Sequence, residues 1–259
     1  MREKLKSKWQ DLGPRVSSAI VLSLIGGAAI FLGGSAFFLL VCICAGLMSW
    51  EVFRMAAPER PNLAVAYGVV AGVLLAAAIA IRMPAEWVLF AGLALVLWGL
   101  SSQNRAFSAV YLFFVMLACS ALLHIRAVDL ALTVWIVLVV VASDVLGYFV
   151  GRSLGGPKFW PAISPKKTWS GTIAGWVGAA LVGLIFVDDS PWFIIPVSVL
   201  MAFAGQMGDI VESALKRRAG VKDSSNLIPG HGGLLDRFDA LMGAAIVLGA
   251  ALLVVDVIY

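Results

Sequence analysis

The sequence predicts an all-α, polytopic integral membrane protein of about nine transmembrane helices with its N-terminus in the cytoplasm, and three observations carry that prediction. Hydrophobic residues fill 61% of the 259 positions and charged residues only 13%, against roughly 25% in an ordinary soluble domain. A chain so poor in charge lacks the polar surface of an aqueous globule. The same scarcity excludes a disordered chain and a nucleic-acid-binding module. Apolar stretches close to the length of about 20 residues that a bilayer requires recur along the whole chain. Finally, lysine and arginine concentrate on alternate connections between those stretches.

The stretches run approximately over 16–33, 35–53, 63–81, 85–100, 106–124, 129–151, 171–187, 191–211 and 238–258. Arg2, Lys4, Lys6, Lys8 and Arg15 precede the first. That first stretch is long and no small-residue cleavage site follows it, so it reads as a retained helix and not a cleaved signal. A tight hairpin at Gly33-Gly34 leads into the second stretch, and the fourth is the shortest. With the N-terminus in the cytoplasm, Arg54, Arg60, Arg105, Arg152, Lys158, Lys166, Lys167, Lys216, Arg217, Arg218, Lys222 and Arg237 share its side. Only Arg82 and Arg126 fall on the other. The short Asp188-Asp189 turn and the C-terminal Tyr259 are then external, and His124 fits an interfacial position. Cys42, Cys44 and Cys119 lie inside apolar runs and read as small buried hydrophobes. The whole chain, 1–259, is expected to form one membrane-embedded domain. Residues 1–130 serve mainly as scaffold helices and 140–240 carry the chemistry-bearing residues.

Three constellations stand out. Asp209, Glu212, Ser213 and Lys216 are spaced to share one helix face at the cytoplasmic end of the eighth stretch. Carboxylates near a membrane boundary are costly unless paired or bound to an ion, although the spacing alone also fits a charge stripe marking the water interface. The second runs from Lys222 to Asp239. Gly230, Gly232 and Gly233 surround His231 in an open turn whose backbone N–H groups can approach phosphate oxygens. Asp236 and Asp239 follow at the start of the ninth helix, where capping alone also favours aspartate. Carboxylates delivered from two helices suit a hard cation such as Mg²⁺, with substrate phosphates completing its shell. In the third, Asp144 precedes Tyr148 and Arg152 on one face of the sixth stretch. Gly147 and Gly151 allow close packing there, and Ser164-Pro165-Lys166-Lys167-Thr168 offers a clamp for phosphate or for anionic lipid headgroups.

The run Ser213-x-Leu215-Lys216-Arg217-x₄-Lys222-Asp223-x-Ser225-x₂-Ile228-Pro229-x-His231-Gly232-Gly233-Leu234-x-Asp236-Arg237-Phe238-Asp239 resembles the signature of the CDP-diacylglycerol synthases, or phosphatidate cytidylyltransferases. The Asp144 segment and the Lys166-Lys167 block resemble a second block of that family. One departure is Ser170, where the family pattern leads one to expect an acidic residue before Gly171. The resemblance implies transfer of a cytidylyl group from CTP to phosphatidic acid, in a bacterial inner membrane with the active site facing the cytoplasm. It also implies Mg²⁺ dependence with a two-cation centre, mapped here onto Asp209 and Asp236, with Asp144 as a candidate for completing it. The expected catalytic residues are Ser213, Lys216, Asp223, His231 and Asp239. Substrate binding is expected of Lys166, Lys167, Thr168, Arg217, Lys222, Gly232, Gly233 and Arg237. The small-residue spans allow a homodimer, and no nucleic-acid partner is expected. The rival reading is a secondary transporter or lipid-binding membrane protein using Asp144 and Asp209 as ion sites. Broken helices and an internal repeat would favour it, and the sequence has neither.

Overall fold

Helix-forming apolar runs bounded by glycine, proline or charge produce one helix for each predicted stretch. The computed structural model describes residues 12–186 and 191–258, with side chains over 16–186 and 192–254. Arg2, Lys4, Lys6 and Lys8, the Asp188-Asp189 turn and Tyr259, on which part of the predicted orientation rests, lie outside the described residues. Among the described residues the helices are α1 (Leu12–Leu32), α2 (Gly34–Ala56), α3 (Pro61–Ala80), α4 (Glu86–Leu100), α5 (Arg105–Val128), α6 (Leu130–Leu154), α7 (Trp169–Ile185), α8 (Pro191–Arg218) and α9 (Leu235–Ile258).

Six of these, α2, α3, α5, α6, α8 and α9, are long and apolar enough to cross a membrane. The expectation of nine full spans is met only that far. Apolar Val16–Leu32, Glu86–Leu100 and Trp169–Ile185 are shorter; at 1.5 Å per residue α4 reaches about 22 Å, below the ~30 Å of a hydrocarbon core. The all-α class holds, with a small antiparallel hairpin added between α6 and α7. The hairpin consists of β1 (Lys158–Trp160) and β2 (Ser164–Thr168), with Lys158 opposite Thr168 and Trp160 opposite Ser164. Gly155 and Gly156 end α6 with positive φ, and Pro157 and Pro161 prevent its continuation. The paired strands satisfy each other's backbone groups.

Packing follows the small residues. α2 lies on α3, α6 on α7, α7 on α8, and α8 on α9, with α5 against α2, α4 and α9. The core holds Phe53, Phe90, Leu112, Met116, Met201 and Leu248, all essentially inaccessible. Large apolar side chains such as Leu24, Phe31, Val69, Val73 and Leu181 point outward, as hydrocarbon-facing surfaces do. Gly147 and Gly151 meet Gly171 of α7 so closely that a Cβ on Gly171 would stand 2.5 Å from the Gly147 carbonyl oxygen. These glycines, singled out for close packing, are used within one chain. Arg126 turns back to the end of α1, where Nε donates to the Ile30 carbonyl at 2.7 Å and complements the negative end of that helix. The three cysteines are free, Cys42 and Cys119 being buried.

Candidate active site

α8 continues as helix through Arg218, beyond its apolar part, so the acidic segment 209–216 keeps helical spacing. Its partner face on α9 is close because both sides are small. A Cβ on Gly208 or Gly243 would collide with the Asp239 and Ala204 carbonyl oxygens, and one on Gly205 would stand 3.0 Å from that of Ala240. This crossing brings together Asp209 and Glu212 of α8 and Asp239 of α9, with one carboxylate oxygen of each within 4.8 Å of the others. Oxygens on opposite sides of an octahedral Mg²⁺ stand about 4 Å apart, so the triad has the donors and spread for such an ion. Glu212 has no exposed surface, and among the described residues no backbone N–H and no hydroxyl donates to its carboxylate. Its counter-charge is Lys216, whose Nζ lies 2.5 Å from Oε2.

Two lysines are wired into this cluster. Lys167 of β2 lies 2.5 Å from Asp209 Oδ2 and donates to the Gln206 carbonyl at 3.3 Å. Gln206 itself ties α8 to α6 and α7: its amide nitrogen donates to the Thr172 carbonyl and to Ser143, and its oxygen accepts from Trp176. Lys216 is buried and bridges Glu212 and Asp236, with 2.5 Å to each. Four carboxylates, those of Asp209, Glu212, Asp236 and Asp239, thus face two ammonium groups. The formal excess of two negative charges is what a divalent cation would cancel.

Asp236 has a different set of partners. Besides Lys216, its Oδ2 accepts from the Ser224 N–H at 2.9 Å, the Ser224 hydroxyl at 2.8 Å and the Gly233 N–H at 2.8 Å. It thereby closes the 219–234 loop onto the start of α9. The glycines of that loop are required by close approach: a Cβ on Gly232, which has φ +84°, would stand 2.8 Å from Asp236 Oδ2, and one on Gly233 would overlap Ser224 and Glu51.

Glu51 of α2 was not foreseen. It is fully buried, and its carboxylate accepts from the Ser225 hydroxyl at 2.5 Å and from the backbone N–H groups of Leu234 and Leu235 at 2.9 and 2.8 Å. A carboxylate from another helix therefore caps the N-terminus of α9. The one available signal was a glutamate inside an otherwise apolar stretch, four residues after Leu47 and three before Arg54.

The remaining expected residues take varied positions. Ser213 donates to Asp209 Oδ1 at 3.3 Å. The His231 ring is hydrogen-bonded to Ser18 of α1 at 2.7 Å, and Arg237 donates to the His231 carbonyl. Thr168 caps α7 by accepting from the Gly171 N–H, and Ser170 donates to the Gly155 carbonyl at 2.5 Å, so it latches the hairpin where an acidic residue was expected. Lys166, Arg217, Lys222 and Asp223 are exposed. Asp144 is exposed on α6, outside the triad, within electrostatic reach of Lys167 and Asp209. Beside the loop a cavity of about 520 Å³ is lined by Trp50, Arg54, Lys222, Asp223, Ser224 and Asn226, among others, with the Arg54 guanidinium 4.8 Å from the Trp50 ring centre.

Residues 14–255 match the model of a family described as the cytidylyltransferase family. A phosphatidate cytidylyltransferase of Brucella abortus (strain 2308) is 33% identical over 249 residues, 92% of each chain. One of Staphylococcus saprophyticus is 39% identical over 147 residues, 55% of this chain and 56% of its own. One of Staphylococcus haemolyticus is 46% identical over 110 residues, 40% of this chain and 42% of its own.

Proposed function

The chain belongs to the cytidylyltransferase family, and we propose that it transfers the cytidylyl group of CTP to phosphatidic acid, releasing pyrophosphate and leaving CDP-diacylglycerol in the membrane. The observation that carries this reading is the acidic triad Asp209, Glu212 and Asp239, paired with the Lys167 and Lys216 ammonium groups, on two long apolar helices. A phosphate oxygen of phosphatidic acid attacks the α-phosphorus of CTP. As that P–O bond forms, the bond from the α-phosphorus to the bridging oxygen breaks, and the electron pair leaves with pyrophosphate. No covalent enzyme intermediate is needed; the residues have to neutralise charge and hold the two phosphates in line.

Asp209, Glu212 and Asp239 are the residues that would hold Mg²⁺, which when bound supplies positive charge against the phosphate oxygens. Asp144 adds a carboxylate to the same field from α6. Lys167 orients Asp209, and with Lys166, Arg217 and Lys222 it draws the triphosphate in from water. The cavity lined by Trp50, Arg54 and Lys222 offers cations and an indole face to the nucleotide. Lys216 and Asp236 act as positioning residues: they fix Glu212 and the loop, and Asp236 keeps its oxygens on the protein. Ser213 holds Asp209, and Arg237 holds the His231 turn.

The lipid substrate accounts for the membrane setting, because acyl chains stay in hydrocarbon while the headgroup meets a soluble triphosphate. The lysine and arginine distribution supports nine spans, the three short helices included, with this end facing the cytoplasm of a bacterial plasma membrane. Purified protein in detergent, given labelled CTP, phosphatidic acid and Mg²⁺, is expected to yield labelled CDP-diacylglycerol. No labelled lipid under any divalent cation would overturn the reading.

A further inference from the structure

Between α5, α8 and α9 lies a second cavity, of about 340 Å³. Its wall includes Val110, Phe114, Val211 and Met242 and is apolar throughout except at Tyr111 and Asp239. Val110, Phe114 and Val211 are among the exposed apolar residues, so the cavity opens on the hydrocarbon-facing surface, not toward water. Its other end reaches the acidic triad through Asp239. Such a space excludes a nucleotide and has room for about ten water-sized groups, a fair part of one acyl chain.

Tyr111 supplies an independent observation. The residue is 7% exposed, and its hydroxyl has no hydrogen-bond partner among the described residues. Tyr111 shares the cavity wall with Asp239, so it sits at the end of the cavity that reaches the acidic triad. A buried phenol without a partner is costly, and one placed between an apolar channel and a phosphate-handling cluster is a donor awaiting an acceptor. A phosphomonoester is such an acceptor, and its attached chains need an apolar path at the same place.

Resting on the function proposed above, we propose that this cavity seats an acyl chain of phosphatidic acid and that the Tyr111 hydroxyl donates to an oxygen of its phosphate. Tyr111 is then a substrate-binding residue that selects a lipid phosphate at the membrane side, while the exposed cations handle the triphosphate from water.

The test uses the full chain reconstituted in vesicles. Tyr111→Phe is expected to raise KM for dioleoyl phosphatidate about tenfold, the value of a hydrogen bond to a charged group, and to leave KM for CTP unchanged. Its melting temperature stays level or rises, since an unsatisfied buried hydroxyl is removed. Val110→Trp at the exposed rim is expected to raise KM for dioleoyl but not dihexanoyl phosphatidate. A phosphatidate carrying a diazirine near one chain end should label peptides of Arg105–Val128 and Leu235–Ile258, and Val110→Trp should abolish that labelling. Equal KM changes for both substrates together with a lower melting temperature in Tyr111→Phe would mean a packing role and overturn the proposal. So would turnover without labelling of those helices. Labelling at these helices without turnover would support the lipid site and count against the proposed activity alone.

Discussion

A carboxylate taken out of water needs a counter-charge, and Glu212, with no exposed surface, has the Lys216 ammonium alone among the described residues. Asp236 accepts from Lys216, from the Ser224 N–H and hydroxyl and from the Gly233 N–H, whereas Glu212 has Lys216 alone, and the metal role proposed for Glu212 rests on that contrast. Asp209→Asn, Glu212→Gln and Asp239→Asn are each expected to lower Mg²⁺-dependent turnover at least about a hundredfold and to weaken Mn²⁺ binding measured by electron paramagnetic resonance. Asp236→Asn should leave Mn²⁺ affinity near wild type while lowering the melting temperature. Loss of Mn²⁺ binding in Asp236→Asn would return that residue to the metal centre. Lys216→Met strands two carboxylates, so it is expected to destabilise the chain by about 3–5 kcal/mol in chemical denaturation. Glu51→Leu leaves the Leu234 and Leu235 N–H groups unmatched and is expected to cost about 2–5 kcal/mol. Its KM for CTP should rise, because the loop it holds borders the cavity proposed for the nucleotide, and Glu51→Gln should recover part of the loss.

Among the elements, the crossing of α8 and α9 determines whether a triad exists at all. Asp209 and Glu212 share a face by helical periodicity, but Asp239 joins them only because Gly205, Gly208 and Gly243 let two backbones nearly touch. Gly243→Val is therefore expected to separate the helices, costing about 1–3 kcal/mol of stability by overpacking and a larger share of turnover than the stability loss explains. Comparing melting temperature with kcat at a permissive temperature checks this. The β1–β2 hairpin plays the matching part for Lys167: strand pairing, the Thr168 cap and the Ser170 latch direct one lysine of the pair onto Asp209 and leave Lys166 outside. Two adjacent lysines in a β-strand point to opposite sides, which is why a pair read from sequence as one clamp divides its work.

Across the molecule, most lysines and arginines fall on the side of the acidic cluster, and the proposed orientation rests on that bias. In a variant with the native cysteines replaced by alanine, Lys222→Cys is expected to react with an impermeant maleimide only in inside-out vesicles, and Arg82→Cys only from the periplasmic side. The reverse pattern would invert the proposed topology. Composition and hydropathy were enough for a membrane-embedded helical chain, because a bilayer accepts only structures that satisfy their own backbone and a long apolar run has few other options. The motif around Asp209, Lys216 and Asp236 was equally legible, since charges in an apolar chain are conspicuous and their helical spacing is local. What the linear order could not disclose were contacts between distant segments: Glu51 capping α9 from α2, Tyr111 bordering the triad from α5, and Asp239 of α9 meeting Asp209 and Glu212 of α8. Each depends on how closely two helices approach and at what angle, which small residues many positions away from the acidic motif fix by packing.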